Sequence, residues 1–182
     1  MAPRISASAI TLLIILASNT AAEEAQLHSY ETADFISTSK VQSNTKQLAK
    51  AAVSVSLAHA KSALAAVSSL AESAVALKQG ETVVLSDCGT MLGDSVQKLQ
   101  KSEKELGGSA KDREDASERV QNALTWVSTA LTDENMCADE LGGVDLAGKR
   151  DTVRGRVVIA AKHTSNALAL VSNLASSIGK SP

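Results

Sequence analysis

Asn122–Leu141, NALTWVSTALTDENMCADEL, contains the single Trp of the chain, Trp126, and one of its two cysteines, Cys137. Ala116, Val120, Leu124, Val127 and Leu131 recur at three- and four-residue spacing, the period of one helix face. Polarity changes sharply at Thr132. The stretch Thr132–Asn135 therefore reads as a polar turn that ends this helix, with Cys137 just beyond it. The other cysteine, Cys88, lies in a second helix-like stretch. In an exported chain, a Cys88–Cys137 bond is the natural staple between two such elements.

Outward from this stretch the chain keeps the same character. A first helix is expected over 45–78, with Ser43 or Asn44 as N-cap and Gly80 as its stop. Its apolar face is Ala49, Val53, Leu57, Ala60, Leu64, Val67, Ala71 and Ala74. A second is expected over 82–106 on Leu85, Cys88, Leu92, Val96, Leu99 and Leu106. Gly89 and Gly93 interrupt that stripe, each at a cost of about 1 kcal/mol relative to Ala, which points to a kink or a closely approaching neighbour. The third helix covers 115–132, a loop 139–150, and the fourth helix 151–177 on Val153, Val157, Ala160, Thr164, Leu168, Val171 and Ile178. Pro occurs only at Pro3 and Pro182, so no proline breaks the interior. No strand-like alternation and no internal repeat is present. Four amphipathic segments on short connections predict an all-α chain, an up-down-up-down four-helix bundle over residues 45–182.

The first 22 residues read as an export signal. Met1–Arg4 is a short basic region, Ala9–Ala17 an apolar one, and Ser18–Ala22 a run of small polar and apolar residues suited to cleavage. The apolar run is shorter than the roughly 20 residues a spanning helix needs, and no later stretch reads as a membrane span. Secretion is the expected location, where two cysteines pair rather than remain free. Residues 23–44 form an arm that carries Tyr30 and Phe35, the two aromatics besides Trp126. A formal net charge of −2 argues against nucleic-acid binding. The helices' polar faces are Ser-rich rather than basic, which argues against a membrane-surface role.

Catalytic constellations are missing. His28, His59 and His163 are far apart in sequence and form no metal-ligand pair, so His59 and His163 read as structural histidines. No nucleophile elbow and no phosphate-binding glycine loop occurs. The acidic cluster Asp133, Glu134, Asp139 and Glu140 lacks the alternating ligands and turn glycine of a calcium loop, and reads as a solvated surface. No metal or cofactor is expected, and the chain reads as a binding or inhibitory protein rather than an enzyme.

Asn122–Cys137 resembles the TWxSAALTxxxTC stretch of plant invertase and pectin methylesterase inhibitors. Ser86–Leu99 is similar to their DCxELYxDAVxxL helix, and Ser165–Leu170, SNALAL, to the signature of their last helix. Gln47–Ala49 and Ala33–Ile36 resemble the start of their long helix and the lead-in to their N-terminal hairpin. The resemblance implies a four-helix bundle preceded by a small α-hairpin, a disulfide between the second and third helices (Cys88–Cys137 here), and export to the plant cell wall. It also implies non-covalent, stoichiometric blockade of a pectin methylesterase or an acid invertase.

The chain departs from that pattern at several points. The family has four cysteines; this chain has two, with Lys40 where the first hairpin cysteine is expected and the hairpin tip deleted. The arm is therefore a truncated hairpin. Met136 replaces the Thr before the cysteine, Leu92 the Tyr of the second helix, and Asp139-Glu140-Leu141 the DGF triplet. In the family a Thr and a following Asp of this region face the enzyme; Asp139 keeps the acid and Met136 loses the hydroxyl. With the adjacent polar turn, Thr132, Asp133, Asn135, Met136 and Asp139 are the expected partner-binding residues. Invertase inhibitors of the family carry a Pro-Lys-Phe plug, which this chain lacks. The expected partner is thus pectin methylesterase, bound by a monomer in a 1:1 complex, with acid invertase as the alternative.

Overall fold

The computed structural model describes residues 45–73 and 77–180, with side chains described through Ile178. The export-signal and arm assignments, 1–22 and 23–44, lie outside the described residues. The described chain is an all-α bundle of four long helices: α1 (Thr45–Glu72), α2 (Gln79–Gly107), α3 (Arg113–Gly142) and α4 (Arg150–Lys180). A single 3₁₀ turn, Leu146–Gly148, lies between α3 and α4.

Cross-helix bonds give the direction of each helix. Lys46 donates to the Gly108 carbonyl and Ser54 to the Glu103 carboxylate, so α1 and α2 run antiparallel. Cys88–Cys137 and Lys98–Asp133 do the same for α2 and α3. Arg113 donates to the Ile178 carbonyl and Arg154 to that of Ala138, which reverses α4 on α3. Ser56 meets Thr164 and His59 meets His163, closing α4 back on α1. This is the expected up-down-up-down arrangement.

The core divides into two apolar clusters along the bundle axis. One joins Ala49–Ala60, Val96–Leu106, Val120–Ala130 and Ala167–Leu174. The other joins Ala63–Leu70, Leu85–Leu92, Cys137–Leu146 and Val153–Ala160 around the disulfide. Every member of the sequence-predicted α2 stripe is buried, and Leu85, Leu92, Leu99 and Leu106 are 1% exposed or less. The α3 stripe is displaced by part of a turn. Ala123 and Ala130 are completely buried, whereas Ala116, Leu124 and Leu131 are only half-buried. Alanine matters here because, with almost no aromatics, the helices close on each other through small side chains.

Three expectations are corrected. First, Thr132–Asn135 is not a turn: α3 runs unbroken to Gly142. Two of its polar residues bond within the helix or across to α2. Thr132 donates to the Ser128 carbonyl, and Asp133 pairs with Lys98 at 2.8 Å. The loop is correspondingly shorter than 139–150. Second, α1 stops at Glu72 rather than 78. The Ser73 hydroxyl and amide bond back to the Leu70 and Ser69 carbonyls, and Gly80 stands inside the first turn of α2. Third, neither α2 glycine marks a kink or a tight contact. A Cβ at Gly89 would meet Val67 only at 4.0 Å, and one at Gly93 would meet nothing within 4 Å. Nothing in the structure explains Gly93.

The length and hydropathy of α1 are those of a membrane-crossing helix, contrary to the expectation that no later stretch qualifies. In the bundle its apolar stripe, Ala49, Val53, Leu57, Ala60, Ala63, Val67 and Leu70, is buried against the other helices.

Helix α3 is capped reciprocally. Asp112 accepts from the Asp115 amide at 2.9 Å, and the Asp115 carboxylate accepts from the Lys111 amide at 2.9 Å. Asp112→Ala is expected to cost about 1 kcal/mol and Asp112→Asn close to nothing, read as the urea midpoint at constant slope.

Candidate functional site: the outer face of α3

Thr132, Asn135, Met136 and Asp139 are all exposed on α3, at helical spacings of three and four. The unbroken helix makes them one rigid stripe rather than the tip of a turn. Met136 is the most apolar member and is 50% exposed, one of four large hydrophobics in the described residues that reach solvent to this extent. Cys137 beside it is completely buried, bonded to Cys88 with 4.7 Å between Cα atoms. The disulfide therefore fixes α3 to α2 immediately beneath the stripe.

Asp133 stands apart from the other four. Its carboxylate is held by Lys98 of α2, with both side chains about one-fifth to one-quarter exposed. It is already committed to an internal ion pair, so it braces the α2–α3 seam rather than standing free for a partner. Two helical turns further back, Trp126 is half-buried with the Lys101 ammonium 5.9 Å from its ring centroid. Trp126 does not fill the core. The ring covers the seam from outside, where a cation over its face is favourable. Val127 is completely buried, as expected.

The connection between α3 and α4 borders the same end of the bundle. Leu146 and Ala147 have positive φ, 55° and 52°, ahead of Gly148 at 77°. For non-glycine residues this costs on the order of 1 kcal/mol each, so the surroundings must impose it. Leu146 is completely buried as an apolar plug, and its amide donates to Glu81 Oε1 at 3.1 Å. The other Glu81 oxygen accepts from the Lys78 amide at 2.8 Å. One carboxylate thus starts α2 and anchors the loop. The Lys78 amide bond, with that of Leu146, holds its pKa below the usual carboxylate value against the opposing effect of burial.

Two features escaped the sequence. The first is the pairing of His59 with His163, whose rings stack 3.9 Å apart and 4° from parallel. Burial, with the neighbouring His59, lowers the pKa of His163 and keeps that imidazole neutral. The signal available was that each stands next to a stripe member, His59 beside Ala60 and His163 beside Thr164, and it becomes readable only once the antiparallel register is known. The second is Glu134, read as solvated surface but completely buried, which is treated below. An open groove of about 590 Å³ lies on the opposite pair, α1 and α4, lined by Ser62, Ser69, Leu70, Lys149, Thr152 and Arg156. No cluster of three or more metal-ligating side chains occurs among the described residues.

Residues 13–170 match the model of the family described as plant invertase/pectin methylesterase inhibitor. Pectinesterase inhibitor 9 of Arabidopsis thaliana is 42% identical over 135 residues, covering 72% of this chain and 66% of that protein. Pectinesterase inhibitor 3 of the same plant is 38% identical over 143 residues, covering 75% of this chain and 68% of the relative. A 21 kDa protein of Daucus carota is 36% identical over 137 residues, covering 74% and 70%. The chain thus spans about two thirds of the length of these relatives. A solved pectin methylesterase inhibitor from Arabidopsis thaliana matches with 18% identity, a TM-score of 0.48, and coverage of 72% of this chain and 83% of that one. With a family model matched along most of its length and relatives well above 30% identity, the chain belongs to the plant invertase/pectin methylesterase inhibitor family.

Proposed function

We propose that this chain is a secreted inhibitor of pectin methylesterase, and not itself an enzyme. It binds non-covalently as a monomer over the enzyme's substrate cleft and so restrains de-esterification of cell-wall pectin. The observation that carries the reading is the identity of the relatives, several of which are named pectinesterase inhibitors. The missing Pro-Lys-Phe plug supports pectin methylesterase over acid invertase. The contact surface is the α3 stripe of Thr132, Asn135, Met136 and Asp139, with Asp133 bracing it through Lys98.

This surface suits occlusion. It is rigid, so little ordering entropy is lost on docking. It offers one exposed apolar anchor, Met136, among hydroxyl, amide and carboxylate groups. Purified protein in stoichiometric excess should slow methyl-ester release by at least one of a panel of wall pectin methylesterases between pH 5 and 8. Sucrose hydrolysis by wall and vacuolar invertases should be unaffected. Inhibition of invertase alone would replace the reading, and inhibition of neither would leave a non-inhibitory bundle.

The anchor can be tested separately. Met136→Asp is expected to raise the inhibition constant by about 30-fold, the roughly 2 kcal/mol that separates a central contact from a peripheral one. The melting temperature should stay within about 1–2 °C, because the side chain is half in solvent. An unchanged inhibition constant would move the contact surface away from α3.

A further inference from the structure

Glu134 is 0% exposed in the middle of α3, in a core without a cation to meet it. Its position is systematic. Ser56 on α1, Ser95 on α2, Glu134 on α3 and Thr164 on α4 are all 0% exposed, so each helix contributes one buried polar residue to the same level of the bundle. On α2, α3 and α4 that level falls in the gap between the two apolar clusters: between Leu92 and Val96, between Ala130 and Cys137, and between Ala160 and Ala167. Ser95 Oγ donates to Glu134 Oε1 at 2.7 Å, and Ser56 and Thr164 share a bond of 2.6 Å. The four side chains form one polar layer across the bundle.

We propose that this layer is a proton-operated latch: it holds the two halves of the bundle together when Glu134 carries a proton, and loosens when that proton leaves. Proton accounting supports the neutral form. Thr164 has one hydroxyl proton, which the Ala160 carbonyl takes at 3.1 Å. The Ser56 hydroxyl then donates to Thr164. Glu134 Oε2 lies beside Thr164, buried and without a hydrogen-bond partner. As a carboxylate it competes with the Ala160 carbonyl for the single Thr164 proton. As a carboxylic acid it has a proton of its own to offer the Thr164 oxygen, and that competition is removed.

The surrounding charges do not rescue the anion. Asp133, the neighbour on α3, disfavours it further, and Lys98 on α2 is already bound to Asp133. Burial and the neighbouring His59 on α1 lower the pKa of His163 on α4, so His163 supplies no fixed positive charge here. Burial outweighs the opposing hydrogen bonds from Ser95 and Thr164 and, with Asp133, pushes the Glu134 pKa from 4.5 up to about 7.

The sign follows from linkage. The folded state holds this proton more tightly than the unfolded chain. Its contribution to stability is therefore complete below pH 4.5 and is lost as the pH rises through about 7. Between pH 5 and 8 the folding equilibrium constant should fall by about 70-fold from this group alone, by the linkage relation.

The test compares the native chain with Glu134→Gln, which keeps the shape and the donor but cannot ionise. Urea unfolding of both at pH 5, 6, 7 and 8 should give diverging curves, with the native chain losing about 70-fold more in its folding constant than the variant. Parallel curves would overturn the proposal. Carbon-13 NMR of the Glu134 carboxyl in the native protein provides an independent reading that needs no variant. A midpoint near 7 supports the latch, and one near 4.5 overturns it. Neither measurement depends on which enzyme the chain inhibits.

Discussion

Opening the Cys88–Cys137 bond is expected to lower the unfolding free energy by about 4 kcal/mol, the largest single effect in the molecule. The bond closes a loop of 49 residues, and cross-linking across that length removes a large part of the freedom of the unfolded chain. Both cysteines are completely buried among Leu85, Leu92, Ala138 and Leu141, so the bond also packs as core. Paired substitution Cys88→Ala/Cys137→Ala isolates the loss of the cross-link better than reduction, which leaves two thiols crowded in the same space. Against a total stability of roughly 5–15 kcal/mol, such a loss brings the bundle close to unfolding. The urea midpoint of the double variant against the native chain gives the number. A drop below 1 kcal/mol would mean that apolar packing alone holds α2 to α3. The same variant bears on the proposed contact surface, because Met136 and Asp139 flank the helix turn that Cys137 anchors.

Leu99→Ala is expected to cost about 3 kcal/mol, within the 2–5 kcal/mol range for such truncations. Leu99 is completely buried in the cluster on the far side of the polar layer from the disulfide. Its neighbours are largely alanine and valine, which cannot swing side chains into the space left behind. The cavity therefore stays partly open, and its cost adds to the lost transfer free energy of the removed side chain. Because Leu99 lies far from Cys88 along α2, the two changes should be nearly additive. Urea unfolding of the single and combined variants measures this directly. Strong coupling would show that the two apolar clusters behave as one unit in spite of the layer between them.

Much of the fold is legible in the sequence, because aliphatic residues recur with helical period and no interior proline interrupts them. The α2 stripe is read correctly residue by residue, and its buried members include the cysteine that pairs. The family motifs identify the relatives and place the disulfide. What was misread has a common cause. Polarity reads as a sign of solvent or of a turn, and Thr132–Asn135 fits both expectations. In the structure that run lies along one helix, and its members point in different directions. Thr132 and Asn135 are exposed, Asp133 is held by Lys98, and Glu134 is buried. Composition cannot separate these, since only the helical phase relative to Ala130 and Cys137 shows that position 134 faces inward. The same is true of His59 and His163, 104 positions apart in the chain and in contact across α1 and α4. Leu146 gave no signal at all. Its positive φ follows from a tertiary bond to Glu81, 65 positions away.

Trp126 is the only indole in the protein, and it covers the α2–α3 seam half in solvent with Lys101 over its ring. Intrinsic fluorescence excited at the red edge of the protein band therefore arises from one known point. Emission wavelength and quenching by a neutral solute report the wetness of that seam alone, with no contribution to subtract. A macromolecule settling on the outer face of α3 shields or polarises this ring, so the molecule carries a built-in optical gauge of docking.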